Sequence, residues 1–134
     1  FGSCLLPDSA AAMTWRIGDH GFEMTLSPGV PGVLQSHLRG WIEPWLESHG
    51  IAMAHVGSWA VHPGGPRILG TVAECLDLPQ GALDASRSIL AEHGNMSSPT
   101  VLFILNALRK RRAAPPTVVL GFGPGLVAEA ALVL

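Results

Sequence analysis

The sequence predicts an α/β fold, a mixed β-sheet packed with α-helices. Three observations carry this prediction. Trp59-Ala60-Val61-His62 reads as a buried strand, stopped by Pro63 and Gly64-Gly65, because proline cannot continue a central ladder and glycine permits sharp turns. Pro66 then opens a helix, where a missing N–H costs nothing, and Ile68, Leu69, Val72, Ala73 and Leu76 recur at helical spacing. Strand-like segments at both ends of the chain enclose further helical segments. An imidazole therefore sits at the carboxyl end of a strand, beside the free N–H groups of a helix start. Open α/β sheets place their chemistry there. Histidine is also the side chain that titrates near neutrality, although a surface or packing histidine is the ordinary alternative.

In chain order, residues 1 to 9 read as a frayed start with a turn at Pro7-Asp8-Ser9. Residues 10 to 17 read as a strand with Met13, Trp15 and Ile17 on one face. Gly18 to Gly21 form a turn. Phe22, Met24 and Leu26 alternate with Glu23, Thr25 and Ser27, the pattern of a half-buried strand, so the two strands predict a hairpin. Ser27 to Pro31 breaks it. An amphipathic helix follows, with Val33, Leu34, Leu38, Trp41, Ile42, Trp45 and Leu46 on its apolar side. Pro44 inside it predicts a kink or break, and Gly50 closes it.

Beyond the central strand, Pro66 to about Leu78 predicts a helix and Pro79-Gln80-Gly81 a turn. Residues 82 to 93 predict another helix, stopped by Gly94. Ser97-Ser98-Pro99 starts a long apolar helix through Val101, Leu102, Ile104, Leu105 and Leu108, with serine capping and proline in the first turn. Thr117 to Gly121 and Leu126 to Leu134 predict two strands around Gly121-Phe122-Gly123-Pro124-Gly125.

The 134 residues suffice for one modest domain. The chain is 48% hydrophobic and 13% charged, about half the usual charged share, so part of its surface is expected to face another domain or subunit. Its net charge of −2 gives no pull towards nucleic acid or anionic membrane. The basic run Arg109 to Arg112 suits the carbonyl end of a helix. Cys4 and Cys75 have no zinc or disulfide spacing, and a reducing, cytoplasmic compartment is the default. The chain starts without methionine or a signal peptide, and reads as a piece of a longer polypeptide. Glu129 and the glycines of the apolar tail argue against a membrane span.

A second motif is Gly94-Asn95-Met96-Ser97-Ser98-Pro99. Asn95 either caps the following helix or donates its NH₂ to a developing oxyanion. The Gly121 to Gly125 loop is not a dinucleotide fingerprint, because the third glycine falls on Leu126, and no Gly-Lys-Ser/Thr phosphate loop occurs. It reads as a rigid wall near a ligand or as plain hairpin turn chemistry.

Taken together, Trp59, Val61 to Pro66, Gly94 to Ser98, Val101 to Leu105 and Gly121 to Leu126 resemble, in that order, the carboxy-terminal half of the type III polyketide synthases, the chalcone and stilbene synthase family. The resemblance runs over nearly the whole chain. It implies a thiolase-like half-fold. It also implies that a cysteine in a missing amino-terminal domain takes the acyl group from a coenzyme A thioester. The family's catalytic histidine falls on His62 and its catalytic asparagine on Asn95. Decarboxylation of malonyl-CoA creates an enolate, and two donors can hold its oxygen. An imidazole beside a thiol also favours the thiolate.

The resemblance further implies acyl-CoA and malonyl-CoA as substrates, no covalently bound cofactor, no metal, and a homodimer at full length. Met24 falls at a tunnel-guarding position, where a core methionine is the alternative. Ser97, Phe122, Gly123 and Pro124 fall at or beside cavity-lining positions, where capping and turn formation are alternatives. Arg67 either meets a coenzyme A phosphate or is a solvated helix-start residue. Neither cysteine matches the family's nucleophile, so the chain alone is expected to be inactive. A cysteine-protease trio built on Cys75 is the weaker reading, because such motifs do not transfer between families. A non-catalytic interaction domain and a ketoacyl synthase III-like condensing enzyme are the rival functions.

Overall fold

The computed structural model describes residues 1–134, with the exception of the Phe22 side chain. A four-stranded sheet has the order β1 (Gly2–Leu5), β6 (Val127–Val133), β5 (Thr117–Gly123), β4 (Ser58–Val61). β4 and β5 are parallel; β5 with β6 and β6 with β1 are antiparallel. The sheet is therefore mixed, as the sequence predicts. A separate two-stranded hairpin joins β2 (Met13–Gly18) and β3 (Gly21–Leu26).

Helices cover both faces. α1 (Val30–Ser48) and α2 (Pro66–Cys75) lie on one side, α3 (Asp84–His93) and α4 (Pro99–Lys110) on the other. The side-chain alternation of the strands assigns the faces. Trp59, Val61, Val118 and Leu120 join Leu34, Leu38, Ile42, Leu46, Leu69 and Val72 in one core. Ala60 and Val119 face Ala85, Ile89, Ile104 and Leu108 in a second, smaller one. β4 is buried along its whole length, which explains why it reads as a continuous apolar run instead of an alternating one.

Three expectations change, and the helix stop at Gly50 holds. The start of the chain is not frayed: Gly2 to Leu5 pairs with Val127 to Ala130, and Leu6 is buried. α1 is not broken at Pro44. The proline ring faces Gly40, four residues back, and both are exposed, so the unpaired Gly40 carbonyl meets water. Gly50, at φ +73, follows the C-cap residue His49; the amides of Gly50 and Ile51 return to the carbonyls of Glu47 and Leu46 at 2.9 and 3.1 Å, a paired-bond helix stop. The hairpin is not half-buried. Trp15 opposes Met24 and Met13 opposes Leu26, yet Trp15, Ile17, Met24 and Leu26 are exposed by 42–84%. Phe22, the remaining member of that pattern, has its side chain outside the described residues. β2 rests on the Pro124–Leu126 turn, and the apolar face of the hairpin meets solvent in this chain.

Candidate active site

β4 and β5 run parallel, so their carboxyl ends share one edge of the sheet. His62 follows the last residue of β4 and extends the ladder, its amide donating to the Leu120 carbonyl at 2.7 Å. The preceding amide, of Val61, points to the outer edge and donates to the buried Ser86 hydroxyl at 3.2 Å. The ring thus leaves a backbone tied on both sides. By alternation His62 shares its face with Ala60, the face covered by α3 and α4. A Cβ built on Gly121 would lie 3.8 Å from that of His62, so the β5 glycine runs alongside it.

The connection between α3 and α4 supplies the rest. Gly94 ends α3 at φ +71. Asn95 is not a helix cap: its Oδ1 accepts the Ser97 amide at 2.9 Å, two residues on. Ser97 takes a left-handed backbone at φ +61, a conformation that non-glycine residues seldom adopt and that clusters at functional sites. Its carbonyl accepts the Thr100 amide at 3.0 Å and His62 Nε2 at 3.1 Å. Ser98, in the cap position of α4, makes no side-chain cap bond. The hydroxyl at work is that of Thr100, which accepts the Met96 amide at 2.9 Å.

Ser97 is therefore the hub. Its N–H holds Asn95 and its C=O holds His62. A carbonyl only accepts, so His62 Nε2 carries a proton. Asn95 presents Oδ1 to the protein, which leaves its Nδ2 hydrogens for a ligand. Burial of the imidazole pushes its pKa below the ordinary histidine value; the Ser97 carbonyl and then the Asn95 side chain pull the other way without cancelling it. At neutral pH the ring is a neutral Nε2–H donor. The arrangement places two N–H groups at one edge of the sheet: the imidazole Nε2–H, held by the Ser97 carbonyl in this structure, and the carboxamide of Asn95.

The other candidates divide. Gly123 ends β5 opposite Val127, and exposed Pro124 begins a short turn completed by Gly125 at φ +76. This loop projects from the same sheet edge as His62, with Ser9 Oγ 3.1 Å from the Gly125 carbonyl. The Phe122 side chain instead packs against the core on the α1/α2 side, the face opposite His62. Met24 and Arg67 are exposed, and neither takes part in the hydrogen bonds that join His62, Asn95 and Ser97. Cys75 ends α2, whose first turn follows His62; ten residues of helix separate them by about 15 Å. Burial pushes its thiol pKa up, the opposite of a nucleophile. Cys4 lies on β1, three strands from β4. No thiol of this chain reaches the imidazole. A groove of about 780 Å³, lined by Arg39, Glu43, Met53, Trp59 and Leu76 among others, opens at the amino-terminal end of β4 and contains none of the His62 cluster. Ser86 and Thr100 had no signal in the sequence, because a buried hydroxyl looks like any other.

Among the described residues, no group of three His, Cys, Asp or Glu side chains is placed to hold a metal, and no helix is long and apolar enough to cross a membrane.

Comparison with known proteins agrees with this architecture. The chain is 43% identical over 128 residues to a 1,3,6,8-tetrahydroxynaphthalene synthase from Streptomyces peucetius subsp. caesius, covering 93% of this chain and 34% of that one. It superimposes on PKS-I from the brown alga Ectocarpus siliculosus with a TM-score of 0.93 at 28% identity, covering 98% of this chain and 37% of the other. The thiolase-like half-fold is thereby borne out. The chain spans about a third of the length of these relatives. The family model for chalcone and stilbene synthases, C-terminal domain, matches residues 3–134. With the fold, the ordered motifs and this match in agreement, the chain belongs to the chalcone and stilbene synthases and forms their C-terminal domain.

Proposed function

We propose that this chain is the oxyanion-binding half of a polyketide synthase that condenses an acyl-CoA starter with malonyl-CoA by decarboxylative Claisen condensation. The observation that carries it is the convergence of His62 and Asn95 on Ser97. An amino-terminal domain of the same polypeptide supplies the cysteine. Its thiolate takes the acyl group from the starter and releases coenzyme A. Malonyl-CoA then loses CO₂, and the electron pair of the broken C–C bond passes into an enolate. Nδ2–H of Asn95 donates to the thioester oxygen as its charge develops, and Nε2–H of His62 does so by exchanging the Ser97 carbonyl for that oxygen, where fixed donors are worth most. The enolate carbon attacks the acyl thioester, the new C–C bond forms, and the cysteine leaves as thiolate. Because His62 is neutral, it stabilises charge by donating a hydrogen bond and retains its proton.

Ser97, Gly123 and Pro124 line the growing chain's side of the site in this reading, with Met24 and Arg67 nearer its mouth. The substrates are coenzyme A thioesters, no resident cofactor is required, and the full protein works as a cytoplasmic homodimer. The exposed apolar face of the hairpin is consistent with cover by the missing domain. The test is to assay the full polypeptide and the 134-residue chain with malonyl-CoA and a panel of acyl-CoA starters. Product from the full polypeptide, none from the chain alone, and loss on His62→Ala is the expected result. Full activity after His62→Ala sinks the assignment, and product from the chain alone sinks the division of labour. An interaction domain without chemistry would give no product in any arm.

A further inference from the structure

We infer that Thr100 is a positioning residue, whose buried hydroxyl holds the 95–97 turn in the one shape that aims His62 and Asn95 at the same place. This rests on the reading of those two side chains as oxyanion donors. The turn has little else to hold it. Gly94, Asn95, Ser97 and Ser98 are all exposed, and two of the four have positive φ. Met96 alone of the turn is partly buried, against the smaller core, so apolar packing holds one side chain and the backbone shape depends on a few hydrogen bonds.

Thr100 supplies two of those bonds from opposite ends of one residue. Its amide donates to the Ser97 carbonyl at 3.0 Å, and its hydroxyl accepts the Met96 amide at 2.9 Å. The residue has 0% exposure and belongs to the first turn of α4, which the smaller core anchors through Ile104 and Leu108. The hydroxyl thus transfers the rigidity of a packed helix to an exposed turn. Without it the Met96 amide has no acceptor, and the left-handed Ser97 is free to relax. The Ser97 carbonyl would then turn away from Nε2 and its amide from Asn95 Oδ1 together, since both belong to one residue. Thr100 touches neither reacting atom in this account; it acts through the turn.

Thr100→Val keeps the branched shape and removes the acceptor, whereas Thr100→Ser keeps the acceptor and removes a methyl group. In the full polypeptide, Thr100→Val is expected to lower kcat for malonyl-CoA condensation about tenfold with KM unchanged within roughly twofold, a fraction of what a displacement of about 1 Å can cost. The His62 imidazole, followed by NMR titration, moves to lower pKa as it loses the Ser97 and Asn95 contributions that raise it. Thr100→Ser restores both. An unchanged His62 titration in Thr100→Val overturns the inference, as does a serine variant no better than valine. Should valine fail to fold, the Thr100→Ala and Thr100→Ser pair carries the same comparison. The titration does not depend on catalysis: full activity of His62→Ala would remove the oxyanion reading and leave the positioning result standing or falling by itself.

Discussion

Asn95 performs two jobs with two different atoms, and one substitution separates them. Oδ1 accepts the Ser97 amide at 2.9 Å; Nδ2 is the donor in the proposed function. Asn95→Asp preserves the shape and an acceptor oxygen at the Ser97 amide, and replaces the donor by a charged oxygen. Removing one oxyanion donor costs about 10²–10³-fold in rate, some 2.7–4 kcal/mol, and a carboxylate facing the enolate adds repulsion. The fold loses little, because the turn bond survives. Asn95→Ala removes both functions and also gives up about 1 kcal/mol of turn hydrogen bond, a few degrees in Tm for a domain of this size. The assay is condensation by the full polypeptide with malonyl-CoA, with a thermal melt of each variant and a histidine titration. The aspartate variant should melt with the wild type, lose at least about 10²-fold in kcat, and show a His62 pKa moved upward by its new neighbour. An aspartate variant within a few-fold of wild-type kcat would refute the donor role, and one that melts as low as alanine would refute the account of Oδ1.

Three further outcomes follow from the same geometry. His62 has a depressed pKa in the folded chain, so the unfolded chain binds the proton first as pH falls. Its contribution to stability is complete above the unfolded value of about 6.5 and is lost as pH drops from there to the folded value; urea midpoints against pH should show this slope, and His62→Gln should flatten it. Ser86→Ala orphans the buried Val61 amide, at a cost of about 1–3 kcal/mol, measurable as a drop in denaturant midpoint with unchanged m-value. Cys75, with its thiol pushed up by burial, should react slowly with iodoacetamide in the native state, and Cys75→Ser should leave condensation by the full polypeptide intact; an inactive but folded Cys75→Ser would contradict the exclusion of this thiol.

Much of the architecture was legible in the residues. The Trp59 to Val61 run, the Pro-Gly-Gly-Pro break and the apolar spacing from Ile68 to Leu76 are local signals, and local geometry obeys them. Misreadings arose where a tertiary partner overrides local preference. Gly2 to Leu5 looks frayed until β6 is beside it. Pro44 looks like a break until Gly40 proves to be solvent-facing. The hairpin alternates as if half-buried, but its apolar face meets solvent in this chain.

The amino-acid sequence by itself determined which side chains are available, an imidazole at a strand end and a carboxamide after a glycine, and their order matches one family. Their convergence was a matter for the tertiary structure alone. It depends on the backbone of Ser97 in a left-handed conformation, one N–H and one C=O shared between residues 62 and 95, and on a hydroxyl four positions from the amide it holds. Backbone groups are the same in every residue, so no choice of side chain announces where they will point; only the packing of α4 against β4 sets that direction.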